Sequence, residues 1–332
     1  MTRVAVVYND DASLVHGEAR DAIAVQGVVL CAAAVTEALR SRGYAVESHT
    51  VGSDRRAAIT LVNTLDCDVV FNLVEAIGGD ARWEPAFASL LELSGIPYTG
   101  APARAMTLCL EKPVAQALLA ARGIAVPPAV VLERGDEPLD HLPLPAIVKP
   151  AREDASHGIT LASVAADKAA VRARARDVID RYRQPAFAEA FVDGREVNVG
   201  LLESNGALDI LPLAEIDFYA FTPDMPRIVT YDGKWIEGSR DWNLTRVVPA
   251  RVSEAERERI EQTARAAFSA LGLRGYGRVD VRVAADGTPF VIDINPNPDI
   301  SPDAGFARAA ARGGWTYADL ITHIVEAAAQ AR

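Results

Sequence analysis

Tyr276-Gly277-Arg278-Val279-Asp280-Val281-Arg282-Val283-Ala284-Ala285-Asp286-Gly287-Thr288-Pro289-Phe290-Val291-Ile292-Asp293-Ile294-Asn295 is two alternating runs around an Asp-Gly turn signal, and its reading decides the fold. A two-residue hairpin turn at Asp286-Gly287 sets Ala285 opposite Thr288. Counting outward then pairs Asp280 with Asp293 and Arg278 with Asn295. Val279, Val281, Ile292 and Ile294 fill the other face, so a slip of one residue would bury the acids. Like charges directly opposite on a sheet are destabilising, and something cationic is expected between them. Two carboxylates and an amide oxygen are hard ligands. They suit Mg²⁺ held jointly with substrate phosphates better than they suit zinc, which points to nucleotide chemistry.

The 332 residues, half of them hydrophobic, are enough for two or three domains with sizeable cores. A net charge of -11 argues against a protein that grips a nucleic-acid backbone, so any phosphate binding must be local. Cys31, Cys67 and Cys109 lie far apart in apolar contexts, as buried thiols in a reducing, cytoplasmic compartment would. The opening Met1-Thr-Arg-Val-Ala-Val-Val-Tyr8 enters a strand pattern directly, and no segment has the length and apolarity of a membrane span. Neither export nor membrane insertion is expected.

Of 34 basic residues only four are lysine: Lys112, Lys149, Lys168 and Lys234. Arginine fills the ordinary solvated positions, so a retained lysine suggests a need for a compact point charge, as on a nucleotide phosphate. Lys168, within the helical pattern Val164 to Val171, reads as a surface residue; the other three read as functional.

Residues 3 to about 100 alternate short apolar strands with helical periodicity, the signature of an α/β layer with a mainly parallel sheet. A helix from Glu111 to Ala121 ends at Gly123 before the Pro127-Pro128 break. A second unit carries the strands around Ile147 to Lys149 and Pro185 to Phe191, and a third opens at Gly194 with the strand Arg195 to Leu202. The capping box Ser253-Glu-Ala-Glu256 starts a helix that stops at Gly272, just ahead of the acidic hairpin. We expect units at 1–111, 112–192 and 193–332, the first α/β and the later two α+β.

Taken in order, Phe71-Asn72-Leu73, Gly95-Ile-Pro-Tyr-Thr-Gly100, Glu111-Lys112, Ile147-Val-Lys149-Pro150, Glu189 with Gly194-Arg195-Glu196, Gly277-Arg278-Val-Asp280 and Asp293-Ile-Asn295-Pro296 resemble the ATP-grasp superfamily. Within it the chain is similar to the D-alanine:D-alanine ligases and their amino-acid ligase relatives over nearly its whole length. The resemblance implies that two domains clamp ATP and that a carboxylate is phosphorylated and then attacked by an amine to form an amide. It assigns Lys112 and Lys149 to nucleotide phosphates, Glu189, Ala190, Phe191 and Val192 to the adenine hinge, and Glu196 to the ribose. Asp280, Asp293 and Asn295 match the Mg²⁺ ligands, with two ions implied and Mn²⁺ as a substitute. Arg278 matches the arginine that stabilises charge on the transferred phosphoryl group, Lys234 a lysine on a closing loop, and Ser156 a residue of the phosphate-capping loop. Small carboxylates and amines are the implied partners, with a homodimer and neither nucleic acid nor membrane.

Departures gather on the substrate side. The Gly-Ser-Ser-x-Gly loop of the cell-wall ligases reads Asp154-Ala155-Ser156-His157-Gly158, and an aspartate near phosphates must point away. The glutamate that orients the first substrate's ammonium aligns with Ala24, with Glu18 and Asp21 nearby. The His-Gly-x-Gly-Gly-Glu-Asp segment becomes Val74-Glu75 through Arg82-Trp83-Glu84. Pro-Gly becomes Pro298-Asp299, and the serine for the second carboxylate becomes Ala304. Glu18, Glu75, Arg82 and Asp299, with Asp303, are therefore the candidate substrate residues. The expected activity is an ADP-forming ligase of altered specificity; the alternatives are an authentic D-alanine:D-alanine ligase and a silent ATP-binding regulator.

Overall fold

The computed structural model describes residues 1–10, 22–204 and 206–330, and the side chains of the first helix from residue 27 onward. Its opening part runs β1 (Arg3–Asn9), α1 (Ala22–Ser41), β2 (Ala45–Val51), α2 (Arg55–Thr64), β3 (Val69–Leu73), α3 (Glu84–Ser94) and α4 (Ala103–Leu110). The strands form a parallel sheet of order β2-β1-β3. Val4, Val6 and Phe71 face one core, while Ala5, Val7 and Val70 face another. Burial on both faces is why β1 reads as an unbroken apolar run and not as an alternation.

The middle part runs α5 (Lys112–Ala121), β4 (Ala129–Leu132), β5 (Ala146–Pro150), β6 (Val164–Ala165), α6 (Lys168–Tyr182) and β7 (Ala186–Ala190). Its antiparallel sheet, order β4-β7-β5-β6, is covered by Val171, Ala175 and Val178 of α6. Helix α5 behaves differently. Its Ala115 and Leu119 join the core of the last part of the chain, so Lys112 at its first turn is carried on that core.

The last part comprises β8 (Arg195–Ser204), β9 (Ala207–Ile210), β10 (Ala214–Asp217), α7 (Tyr231–Trp235), α8 (Arg240–Leu244), β11 (Arg246–Pro249), α9 (Glu254–Leu271), β12 (Tyr276–Val283), β13 (Pro289–Asn295), α10 (Gly305–Arg312) and α11 (Tyr317–Gln330). The antiparallel sheet has the order β11-β10-β8-β12-β13, with β9 on β8. The Ser253/Glu256 capping box and the left-handed Gly272 delimit α9 as expected. Its Ile260, Ala264 and Phe268 pack under Val279, Val281, Val291 and Ile294; burial of a side chain the size of Phe268 is worth about 2 kcal/mol. No described helix is long and apolar enough to cross a membrane. The cysteines are free, Cys31 and Cys109 buried and Cys67 half-buried.

The hairpin corrects the sequence reading in two places that cancel. Ala284 N–H donates to Thr288 O at 3.0 Å and Gly287 N–H to Ala284 O at 2.9 Å, so the loop holds three residues, Ala285 to Gly287, with Gly287 left-handed at φ 79°. That shifts the pairing by one residue, giving Val281 opposite Val291. A bulge between Asp280 and Val281 then leaves Ile292 unpaired and shifts it back, so Asp280 faces Asp293 and Arg278 faces Asn295. As a result Val291 takes the core place expected of Ile292, and the Ile292 carbonyl accepts from Lys149 Nζ at 3.1 Å.

Candidate active site

Side chains two apart on a strand share a face, and three paired strands line up the site in rows. Arg278, Asp280 and Arg282 of β12 stand beside Gly200, Asn198 and Glu196 of β8. Arg278 grips Asp280 with two bonds of 2.8 Å, Nε to Oδ1 and Nη2 to Oδ2. Asn198 Nδ2 donates to Asp280 Oδ1 at 2.8 Å, and Asn295 Nδ2 to Oδ2 at 3.3 Å. Lys112 reaches Asp293 Oδ1 at 3.1 Å from α5. Within the chain, Arg278 and Lys112 set positive charge against the facing aspartates. Burial works against a charged Asp293, but Lys112 and Lys149 outweigh it and hold its pKa below the usual carboxylate range.

Lys112 and Lys149, which the resemblance assigns to nucleotide phosphates, line one cavity. A narrow slot between the two antiparallel sheets is lined by Lys112, Gln116, Lys149, Phe187, Ile292 and Asp293. Lys149 Nζ pairs with Glu189 at 2.6 Å, and the buried Glu189 also accepts from Gln116. In the hinge, Ala190 N–H donates to Pro128 O at 2.8 Å and Phe191 N–H to Pro145 O at 2.9 Å. Glu196 is paired with Arg282 at 2.7 Å; Arg282 also donates to Val192 O at 3.2 Å and lies 5.0 Å from the Phe191 ring centroid.

Three of these partners were missed in the sequence although a signal existed. Arg282 lies two residues beyond Asp280, Asn198 two beyond Glu196, and Gln116 one helical turn after Lys112, each on the functional face.

The loop at Asp154 meets the slot at Lys112. Ala155 and Ser156 are left-handed at φ 54° and 60°, with Ser156 O accepting from Ile159 N–H at 3.0 Å. Asp154 points to Lys112 Nζ at 2.8 Å. From α7, Trp235 Nε1 donates to Ala155 O at 2.8 Å, and Tyr231 N–H donates to Ile159 O at 2.9 Å. A Cβ on Gly27 of α1 would stand 3.8 Å from the Trp235 ring, so this short helix is docked on both neighbours. Lys234 rides on it, within the fields of Arg278, Asp299, Asp280 and Asp293. Burial lowers its pKa and Arg278 adds to that, against the three aspartates.

On the substrate side, burial pushes Glu75 up to about 7, reinforced by Asp299 and opposed by Lys234. Glu75 is itself exposed, so solvent screens part of this shift. Burial, Asp154 and Glu75 together raise Glu84 well above the carboxylate range. Asp299 is exposed and accepts from Ser301 N–H at 2.8 Å. The left-handed non-glycine residues of the described chain are Ala155, Ser156 and Arg183, so Asp299 carries no such strain. Arg82 is turned to Asp80 in a bidentate pair and is not gathered with these groups. Asp303 is exposed, and Glu18 and Asp21 lie outside the described residues.

Asn297, two residues past Asn295, fastens this wall to the metal strand. Its Oδ1 accepts from Ala101 N–H at 3.1 Å and its Nδ2 reaches Glu84 Oε1 at 3.4 Å. Gly100 sits beneath it at φ 92°, where a Cβ would run into Asn297 Oδ1. Gly100→Ala is expected to cost about 2 kcal/mol from the left-handed backbone and the collision. In urea melts Asn297→Ala should recover part of that loss in the double variant; strictly additive losses would contradict the contact.

Among the described residues no three His, Cys, Asp or Glu side chains gather to hold a metal. The residues that would hold the ion offer two carboxylates and the Asn295 amide, whose oxygen would face Asp280 after a half-turn of the amide plane. This hard set fits Mg²⁺ completed by phosphate oxygens.

Comparison with known proteins identifies the family. The family profile described as D-ala D-ala ligase C-terminus matches residues 118–326. A D-alanine--D-alanine ligase of Anaeromyxobacter sp. (strain Fw109-5) is 34% identical over 308 residues, covering 90% of each chain. An uncharacterized protein, y4sG, of Sinorhizobium fredii is 31% identical over 260 residues, 78% of this chain and 74% of its own. The crystal structure of D-alanine--D-alanine ligase from Bacillus anthracis complexed with ATP superposes with a TM-score of 0.76 at 21% identity, over 98% of this chain and 96% of that one. The ATP-grasp fold is therefore shared, and the chain belongs to the D-alanine–D-alanine ligase family, ATP-dependent, ADP-forming ligases of a carboxylate and an amine.

Proposed function

We propose that this protein joins a small carboxylate, an amino acid or a close relative, to an amine other than the D-alanine pair. The observation that carries the reading is a contrast within one cleft. The cations and hard ligands Lys112, Lys149, Lys234, Arg278, Asp280, Asp293 and Asn295 are retained, whereas the substrate wall presents Glu75, Glu84 and Asp299.

In the proposed reaction a carboxylate oxygen of the first substrate attacks the γ-phosphorus of ATP, and ADP leaves. The amine nitrogen then attacks the acyl carbon and phosphate departs, giving an amide, ADP, phosphate and one proton. Lys112 and Lys149 hold the phosphates, with Glu189, Ala190, Phe191 and Val192 at the adenine and Glu196 at the ribose. Ser156 caps the transferred group and Lys234 closes on it from α7. Arg278, anchored on Asp280, meets the charge on the phosphoryl oxygens and later on the tetrahedral oxyanion. Asp280, Asp293 and Asn295 would hold Mg²⁺, one ion or two, with Mn²⁺ as a substitute; bound there it supplies charge neutralisation between phosphate oxygens. Glu75 and Asp299 bound the acceptor side. A cytoplasmic homodimer is the expected state.

The test is phosphate release with MgATP over a panel of amino acids and amines, including D-alanine alone. Turnover on a pair other than D-alanine is the expected result. Turnover on D-alanine alone would make the protein a cell-wall ligase, and ATP binding without turnover on any pair would make it a silent regulator.

A further inference from the structure

Lys112 is only 8% exposed, and its ammonium sits between two carboxylates, Asp154 Oδ1 at 2.8 Å and Asp293 Oδ1 at 3.1 Å. Asp293 belongs to the metal strand. Asp154 comes from the loop that meets the slot at Lys112, and 43% of its side chain is open to solvent. A carboxylate on this ammonium stands in the place of a phosphate oxygen: both are anionic acceptors of a charge-assisted bond. We propose that Asp154 is an internal counter-anion that competes with nucleotide phosphate for Lys112, and that its displacement signals nucleotide arrival to the α7 lid.

The proposal rests on the reading of Lys112 as a phosphate-binding residue. The ammonium has three donors, so hydrogen-bond capacity alone does not force a choice between Asp154 and phosphate. Charge does. A phosphate on Lys112 would bring its oxygens beside the Asp154 carboxylate, in a cleft that already holds Glu75, Glu84 and Asp293. The solvent-exposed side of Asp154 gives it somewhere to go. Lys112 itself stays fixed, because its N–H donates to Ala151 O at 3.1 Å and its ammonium keeps Asp293.

Movement of Asp154 has a route to the lid. The next residue, Ala155, holds the left-handed backbone and offers the carbonyl on which Trp235 is anchored. Asp154 O accepts from His157 N–H at 3.0 Å, and the His157 ring lies 5.7 Å from that of Tyr231 on α7. Two consecutive left-handed residues without glycine are costly, and such a loop persists only where its surroundings hold it. Here the Asp154–Lys112 pair and the Trp235 bond are two of the holds, beside the loop's own bonds to Asp154 O and Ser156 O.

The opposite role for Asp154, orienting Lys112 toward phosphate, predicts the opposite sign, which makes the experiment decisive. Calorimetric titration of the full chain with the non-hydrolysable analogue AMP-PNP and Mg²⁺ compares wild type with Asp154→Asn, and with Asp154→Ala should the first fold poorly. Removing the competing charge should tighten binding roughly ten-fold, the scale of one like-charge contact relieved at a partly exposed site. The free variant should melt at a lower temperature than wild type, yet gain more from AMP-PNP. The change in Trp235 emission on binding, identified by its loss in Trp235→Phe, should move to lower nucleotide concentration. Equal or weaker AMP-PNP binding by both variants overturns the proposal. Absence of turnover on every substrate pair overturns the ligase reading and leaves this comparison standing, whereas AMP-PNP bound by none of the proteins overturns both.

Discussion

Asp280→Ala is expected to abolish turnover and to destabilise the fold by about 3 kcal/mol, because Arg278 would lose its hydrogen-bonded partner and keep its charge with Asp293 and Asp299 alone acting on it. Asp280 is 7% exposed, and its two oxygens accept both guanidinium bonds as well as the Asn198 and Asn295 amides. Losing one partner of an enclosed, bidentate pair costs far more than the pair contributes when intact. Activity falls for separate reasons. On the proposed reading a metal ligand is lost, and Arg278 is released from the orientation that its two bonds to Asp280 give it. Several kcal/mol of transition-state stabilisation correspond to about three orders of magnitude in kcat. Two variants separate the effects in urea melts and phosphate-release assays. Asp280→Asn should keep much of the stability and little of the rate. Replacing Arg278 and Asp280 together by Met should recover stability and no activity. An Asp280→Ala enzyme with near wild-type turnover would remove Asp280 from the metal assignment.

The same residues show which parts of the site a sequence can carry. Asp280 opposite Asp293 was legible because alternation around a turn is local, and the buried face beneath fixes the phase. The bulge at Ile292 was not legible: it depends on how β13 meets Lys149 and Ala125, and no residue pattern within the hairpin announces it. The scarcity of lysine was informative, since Lys112, Lys149 and Lys234 all enter the cleft while Lys168 forms a surface pair with Asp140. Contacts made across long stretches of sequence were out of reach. Asp154 meets Lys112 across 42 residues and Asn297 meets Ala101 across 196, and only the packing of α5 onto the last sheet and of the Gly100 loop onto Asn297 brings them together. Arg82 illustrates the converse. It was a candidate substrate residue in sequence, yet its neighbour Asp80 takes the Nε–Nη2 edge of its guanidinium.

Lys112→Met tests the electrostatic centre of the site, and its pH dependence carries the decisive sign. Burial alone would lower the Lys112 pKa, but Asp154 and Asp293 reverse this and raise it above the ordinary lysine value. A raised folded pKa contributes stability that is complete below the ordinary lysine range and disappears only as pH climbs through the higher folded value, so at neutral pH it is fully present. Asp293 is the mirror case. Its lowered folded pKa contributes stability above the ordinary aspartate range, which is lost as pH falls through the lower folded value. Without the ammonium, Asp293 faces Asp154 and Asp280 with Lys149 and Arg278 as its remaining cations, and its folded pKa must rise. The variant should therefore be less stable than wild type near pH 7, by about 2 to 3 kcal/mol for a broken partly buried pair. It should also lose less on acidification toward pH 4, so the two stability curves converge. Melts recorded with divalent ions chelated give this comparison directly, and curves that stay parallel would show that Lys112 does not hold Asp293 ionised. Adding Asp154→Asn to Lys112→Met should return part of the neutral-pH stability by removing one of the stranded charges. Nucleotide affinity should stay low in that double variant, because the ammonium that both anions sought is gone.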